Sequence, residues 1–132
     1  MKKLFAVTGL VVCCALFARA EQVTETKWCK ITVPDSAKVD QAAVIKVELG
    51  TIPDGMMVKV DLHGKSTAGK YMKVNKVGGP LPGKSGETLT FGLAPKSVPD
   101  LGSVHAVVIM GPTGGWADRV ETATSKDIPI LP

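Results

Sequence analysis

The chain has 132 residues with 16 Lys or Arg and 12 Asp or Glu, and three of the basic residues but no acidic one lie in residues 1–20. Residues 21–132 are therefore almost neutral, which argues against a nucleic-acid-binding protein because such a protein needs a basic surface. Residues 21–132 suffice for one domain with a hydrophobic core and are too few for two.

The first 20 residues have the features of a secretory signal peptide. Two lysines precede an apolar run over residues 4–17, and residues 18–20 fit the A-x-A cleavage pattern. The run is shorter than the roughly 20 residues of a membrane-spanning helix, and no small residue precedes Cys13 as a lipid-modification site requires. We expect cleavage before Glu21, which would give a bacterial protein exported to the periplasm or the exterior, with no membrane segment.

Short runs of alternating apolar and polar residues follow the leader, and no helical periodicity is present. In chain order the runs occupy residues 28–33, 45–49, 58–63, 71–77, 88–91, 104–110 and 119–124. The run 104–110 is apolar on both faces, as in a central strand. We expect residues 34–41 to form a loop, with one helical turn as the alternative. Short strands separated by Gly/Pro-rich turns predict an all-β fold, a single β-sandwich of about seven antiparallel strands over residues 21–132.

The first half of this pattern resembles bacterial extracellular immunoglobulin-like and fibronectin III-like domains. The similarity lies in a first strand that ends in V-P, an alternating second strand, a D-G turn and a third strand. The matching segments are Ile31–Pro34, Ala43–Leu49, Pro53–Gly55 and Val58–Leu62. The resemblance implies an immunoglobulin-like or fibronectin III-like sandwich with an adhesive, spacer or accessory role, and it implies no catalytic residue.

Cys29 is left without an intramolecular partner once the leader and its two cysteines are removed. It alternates in phase with Ile31 and Val33, which predicts a thiol buried on the inner face of a strand. An intermolecular disulfide through Cys29 is the alternative. Trp28 falls on the opposite face together with Lys30, so the same alternation predicts that Trp28 faces solvent.

A phosphate-binding motif is matched by letter at Gly78–Ser85, which fits G-x-x-x-x-G-K-S. The motif works by directing backbone N–H groups at phosphates before a helix, yet Pro80 and Pro82 have no N–H. Residues 86–91 continue as a strand pattern. We therefore interpret residues 78–85 as a Gly/Pro loop between two strands.

Neither metal-site spacings nor catalytic motifs accompany the two histidines, and we predict no cofactor, no metal and no catalytic residue. His63 continues a polar strand face, which predicts an exposed ring. His105 shares its face with Val107, which predicts a half-buried strand residue. A metal carrier or an enzyme remains the weakest alternative.

Aromatic residues near loops supply the candidate binding site, because exposed rings stack on sugars or anchor protein interfaces. Trp116 follows a Gly-rich loop between the last two strands, with Thr113, Lys65 and Tyr71 as weaker candidates, whereas Phe91 is expected in the core. The alternative is that the tryptophans only cap the ends of the sandwich.

We predict a secreted, non-catalytic binding module whose partner is a protein or a carbohydrate. The alternative is a structural envelope or spacer subunit joined through edge strands.

Overall fold

The computed structural model describes residues 20–112 and 121–132, with the side chains of residues 75–80 excepted. The regular structure of these residues is almost entirely β, with one 3-10 turn at Pro95–Ser97. The strands are β1 (Glu21–Glu25), β2 (Cys29–Pro34), β3 (Ala37–Lys38), β4 (Ala43–Leu49), β5 (Met56–Ser66), β6 (Tyr71–Pro82), β7 (Thr88–Leu93), β8 (Leu101–Pro112), β9 (Glu121–Thr124) and β10 (Ile128–Leu131).

The strands form two sheets. The first has four strands in the order β1-β2-β4-β7, and the second has six, in the order β3-β10-β8-β5-β6 with β9 also paired to β8. All pairs are antiparallel except β3 with β10. The predicted all-β sandwich is confirmed. The structure has ten strand segments where about seven strands were expected. β9 and β10 pair with successive parts of β8, as one interrupted strand would. The other two additional segments are β3, which has only two residues, and β1, which forms a hairpin with β2.

The core lies between the sheets and follows the period-2 alternation of the strands. Every second residue of β2 and β4 is buried, and β5 and β8 supply the opposite layer. The side chains with less than 2% exposure include Ile31, Val33, Ile45, Val47, Val60, Leu62, Val104, Val108 and Ile128. Each such side chain contributes about 1.5–3 kcal/mol through burial, which makes this layer the main source of stability.

The central position predicted for residues 104–110 is confirmed, because β8 pairs with β5 on one side and with β9 and β10 on the other. On its outer face Ile109 is also buried, at 8% exposure, although it lies outside the core cluster. Phe91, expected in the core, is half-buried and packs against the core from β7.

The expectation of a solvent-facing Trp28 is wrong, because the side chain is only 4% exposed. Trp28 lies in a bend before β2, where the hydroxyl of Thr26 accepts hydrogen bonds from the backbone N–H groups of Trp28 and Cys29 at 3.4 and 3.2 Å. Strand alternation begins only at Cys29, so the bend directs two successive side chains inward. Gly50 N–H donates to the Trp28 carbonyl at 2.7 Å and holds the bend against the end of β4.

Two other segments differ from expectation. Residues 34–41 contain β3, because Val39 N–H donates to the Leu131 carbonyl at 2.8 Å and extends the pairing with β10. The predicted Gly/Pro loop is shorter than residues 78–85, since β6 continues to Pro82 before the turn to β7. In the described ranges, no helix has the length and apolar character needed to cross a membrane.

Candidate binding site

The structure brings together two of the four predicted binding residues. Lys65 on β5 and Tyr71 on β6 are direct cross-strand partners, joined by the turn at residues 67–70, and both are exposed. The Tyr71 side chain is 64% exposed, which is unusual for a large aromatic residue. Thr113 and Trp116 lie outside the described residues.

The Lys65–Tyr71 pair lies at one end of the second sheet. Lys65 pairs with Ser103 on β8, whereas Pro112, the last described residue before Thr113, pairs with Met56 at the other end of β5. Ser103 and Pro112 are therefore about 30 Å apart along β8, at roughly 3.4 Å per residue. The exposed tyrosine and the strand end that leads to Thr113 are on opposite ends of the sandwich.

Both histidines of the chain lie on the outer face of the second sheet and face each other. His63 on β5 is the register partner of His105 on β8, and their ring centroids are 5.8 Å apart at an interplanar angle of 26°. The Tyr71 hydroxyl lies 3.0 Å from Nδ1 of His63, within hydrogen-bonding distance. His63 is half-buried rather than exposed as expected, because two neighbouring rings flank it.

Asp127, between β9 and β10, extends this contact series. Its Oδ1 lies 3.3 Å from Nδ1 of His105. An ionised carboxylate only accepts hydrogen bonds, so a hydrogen bond here requires a proton on Nδ1 of His105. We call the series Tyr71, His63, His105 and Asp127 the imidazole row. The half-buried position expected for His105 is confirmed.

The Tyr71 end of the row is positively charged. Lys65 is the cross-strand partner of Tyr71, and Lys73 is the cross-strand partner of His63. Among the described residues, no carboxylate lies within 4 Å of the ammonium group of Lys65 or Lys73. Lys59, further along β5, differs because its ammonium group lies 3.6 Å from Asp61. The exposed ring of Tyr71 therefore neighbours two lysines that have no ion-pair partner in the part of the chain that the structure describes.

The row offers fixed rings and hydrogen-bonding groups on the outer face of the second sheet. No described serine, threonine or cysteine side chain is hydrogen-bonded to either imidazole, and in the described ranges no three His, Cys, Asp or Glu side chains form a group that could hold a metal ion. A hydroxyl or thiol activated by a neighbouring base is the arrangement that nucleophilic catalysis uses.

A separate concave surface lies at the end of the sandwich that carries the Lys65–Tyr71 pair. It is next to the 3-10 turn and the end of β10. It has a volume of about 480 Å³ and is lined mainly by apolar residues, among them Val98, Leu101 and Ile130. At its rim the Thr67 hydroxyl donates to the Asp100 carboxylate at 2.5 Å. The pocket does not include any residue of the imidazole row.

Sequence reasoning identified Tyr71 and Lys65 as candidates but did not connect them with the histidines. The short turn at residues 67–70 is a local signal that pairs Lys65 with Tyr71. The contact between His63 and His105 depends on pairing of distant strands, for which the sequence carries no local signal.

Comparisons of the chain with protein-family models and with characterised proteins give no match.

Proposed function

We propose that the protein is an exported, non-catalytic binding module that holds an acidic carbohydrate chain at the Tyr71 end of the imidazole row. The observation that carries this proposal is the exposed ring of Tyr71 between two lysines that have no described ion-pair partner. A ring of this kind stacks on the C–H face of a sugar, and the ammonium groups attract its carboxylates.

The strand arrangement supports an immunoglobulin-like or fibronectin III-like architecture for this module. Strands β2, β4 and β7 lie in one sheet, in the positions of strands A, B and E of such domains. Strands β5, β8 and β9–β10 lie in the other sheet, in the positions of C, F and G. In these sandwiches the sheets form a rigid scaffold on which sheet faces and loops bind partners.

The hydrogen bond between Tyr71 and His63 favours binding because it orders the ring in advance. Immobilising a free side chain on association costs about 0.5–1.5 kcal/mol, and a ring that is already held avoids much of this cost. His63 is itself packed against His105, so the position of Tyr71 depends on the central strands rather than on the turn alone.

The two lysines favour an acidic ligand over a neutral one. A single exposed ion pair contributes about 0–1 kcal/mol, so selectivity needs several charges acting together. A polysaccharide with a carboxylate on each sugar meets this condition, because it presents successive negative charges to Lys65 and Lys73. Such binding weakens as salt rises, since the interacting charges are exposed.

The test is direct binding of the full chain, expressed with its own leader, to polygalacturonate and to uncharged dextran by calorimetry at low and moderate salt. A Lys65→Gln/Lys73→Gln variant removes the two cations. A Lys38→Gln/Lys84→Gln variant makes the same change in net charge at exposed positions away from the row. We expect binding to polygalacturonate alone, a loss of about tenfold in the first variant and wild-type affinity in the second.

Equal losses in the two variants would show that only net charge matters, and the proposal would be wrong. Absence of binding to polygalacturonate would also contradict it and would favour a protein partner. The structural-subunit alternative is favoured by a different feature, the open edge of β7.

A further inference from the structure

Among the described residues, five strands have an unpaired outer edge: β1 and β7 in the first sheet, and β3, β6 and β9 in the second. An edge strand presents unpaired backbone N–H and C=O groups and can pair with another chain. Proteins discourage such pairing with charged residues, prolines, bulges or very short edge strands. The five edges differ in which of these protections they carry.

Four of the edges are protected. β6 contains lysines and two prolines, and its pairing with β5 includes register shifts. β3 is only two residues long, and β9 has four residues and begins with Glu121. β1 begins and ends with an acidic residue, so pairing with its own copy about a two-fold axis at Val23 would place Glu21 opposite Glu25.

β7 has none of these protections. Its six residues, Thr88–Leu93, include no charged residue and no proline. It pairs with β4 in continuous register from Ala43↔Leu93 to Glu48↔Thr88, without a bulge. In the described part of the chain, no strand pairs with its outer edge. β7 is therefore an open and regular template for a further strand.

The side chains of β7 also favour a neighbour. Leu89 and Phe91 point toward the core but remain only half-buried. Thr90 lies on the outer face and is exposed. A strand added beside β7 would cover the two apolar side chains and would bring no charged group against them.

We propose that β7 pairs antiparallel with β7 of a second copy of this chain, about a two-fold axis at Thr90. Partners across an antiparallel ladder share a face, so this axis places Thr90 opposite Thr90 and Leu89 opposite Phe91. The two four-stranded sheets would then become one continuous sheet. A two-fold contact uses the same surface on both copies and closes at the dimer.

A second copy is favoured over an unrelated strand because self-pairing of β7 opposes no like charges and joins apolar residues to apolar residues. The surface lies on the first sheet, whereas the imidazole row lies on the second. The proposed dimer is therefore independent of carbohydrate binding, and each proposal can fail without the other.

The experiment measures the mass of the full chain, expressed with its own leader, by sedimentation over a range of concentrations. Thr90→Glu places two carboxylates together at the two-fold axis, while within one copy the new carboxylate faces Lys46. Thr32→Glu is the matched control, because Thr32 also pairs with Lys46 but lies on the interior strand β2. We expect a wild-type dimer, at least tenfold weaker dimerisation for Thr90→Glu, and no change for Thr32→Glu.

A second variant tests the register directly. Thr90→Cys places two thiols at the axis, and under mild oxidation we expect a covalent dimer that Thr32→Cys does not form. A wild-type protein that stays monomeric at about 1 mM would overturn the proposal. The dissociation constant of the dimer would then exceed about 1 mM, which is too weak for a specific dimer. Dimers that Thr90→Glu leaves unchanged, or assemblies that grow beyond two copies, would overturn it as well.

Discussion

His63 and His105 stack on the outer face of the second sheet with their ring centroids 5.8 Å apart. They come from β5 and β8, the two central strands, which pair along almost their whole length. Each ring has a further contact on its outer side, His63 with Tyr71 and His105 with Asp127. The row therefore links the exposed edge strand β6 to the centre of the fold.

Tyr71 should carry most of the proposed carbohydrate binding. We expect Tyr71→Ala to lower affinity for polygalacturonate at least tenfold, because the stacking surface is lost, with little change in Tm since the side chain is exposed. Tyr71→Phe keeps the ring but loses the contact with His63, and an intermediate affinity is expected. Val44→Ala, at a 58% exposed position on the other sheet, serves as the control in calorimetry. Unchanged affinity in Tyr71→Ala would place the binding surface elsewhere.

Gly64 should tolerate no side chain. A Cβ atom at this position would lie 2.7 Å from the Ser103 carbonyl oxygen and 2.9 Å from a methyl group of Val74. We expect Gly64→Ala to lower the free energy of unfolding by about 1–3 kcal/mol, as overpacking does. At Gly92 the same substitution meets open space and should stabilise the strand by about 0.5–1 kcal/mol. Urea unfolding of both variants checks this, and equal effects would contradict the close approach of β5 to β8.

Trp28 combines a buried ring with an unsatisfied donor. Its Nε1 is buried and has no hydrogen-bond partner among the described residues. Trp28→Ala should cost about 3–5 kcal/mol of stability through the cavity it leaves. Trp28→Phe should cost less than about 1 kcal/mol, because losing an unsatisfied buried donor offsets part of the lost packing. Denaturant unfolding distinguishes the two variants, and a similar cost in both would mean that Nε1 has a partner.

Cys29 should be inert in the folded protein. Burial raises the pKa of its thiol above the ordinary value of 9.0, and the Thr26 hydroxyl opposes this shift in part. The unfolded chain therefore releases this proton first, and above pH 9.0 the thiol lowers the free energy of unfolding as pH rises. We expect slow reaction with a thiol reagent at pH 8 until denaturant is added. A Cys29→Ala variant should lose less stability than the wild type between pH 8 and 10, and parallel curves would contradict the burial effect.

Much of the fold follows from local sequence pattern. The alternation in residues 43–49 and 58–62 is visible without a structure, because a strand that is buried on one face must place apolar residues at every second position. The buried position of Cys29, in phase with Ile31 and Val33, was predicted correctly for the same reason. Trp28 was predicted wrongly because alternation was extended past the start of β2, into a bend organised by Thr26.

The sequence by itself determined the all-β sandwich and the central strand β8, since each depends on residues that are neighbours in the chain. Only the tertiary structure decided that His63 faces His105 and that no described strand pairs with the outer edge of β7. Both depend on the pairing of strands distant in sequence, which is selected by the free energy of the whole core rather than by any local pattern.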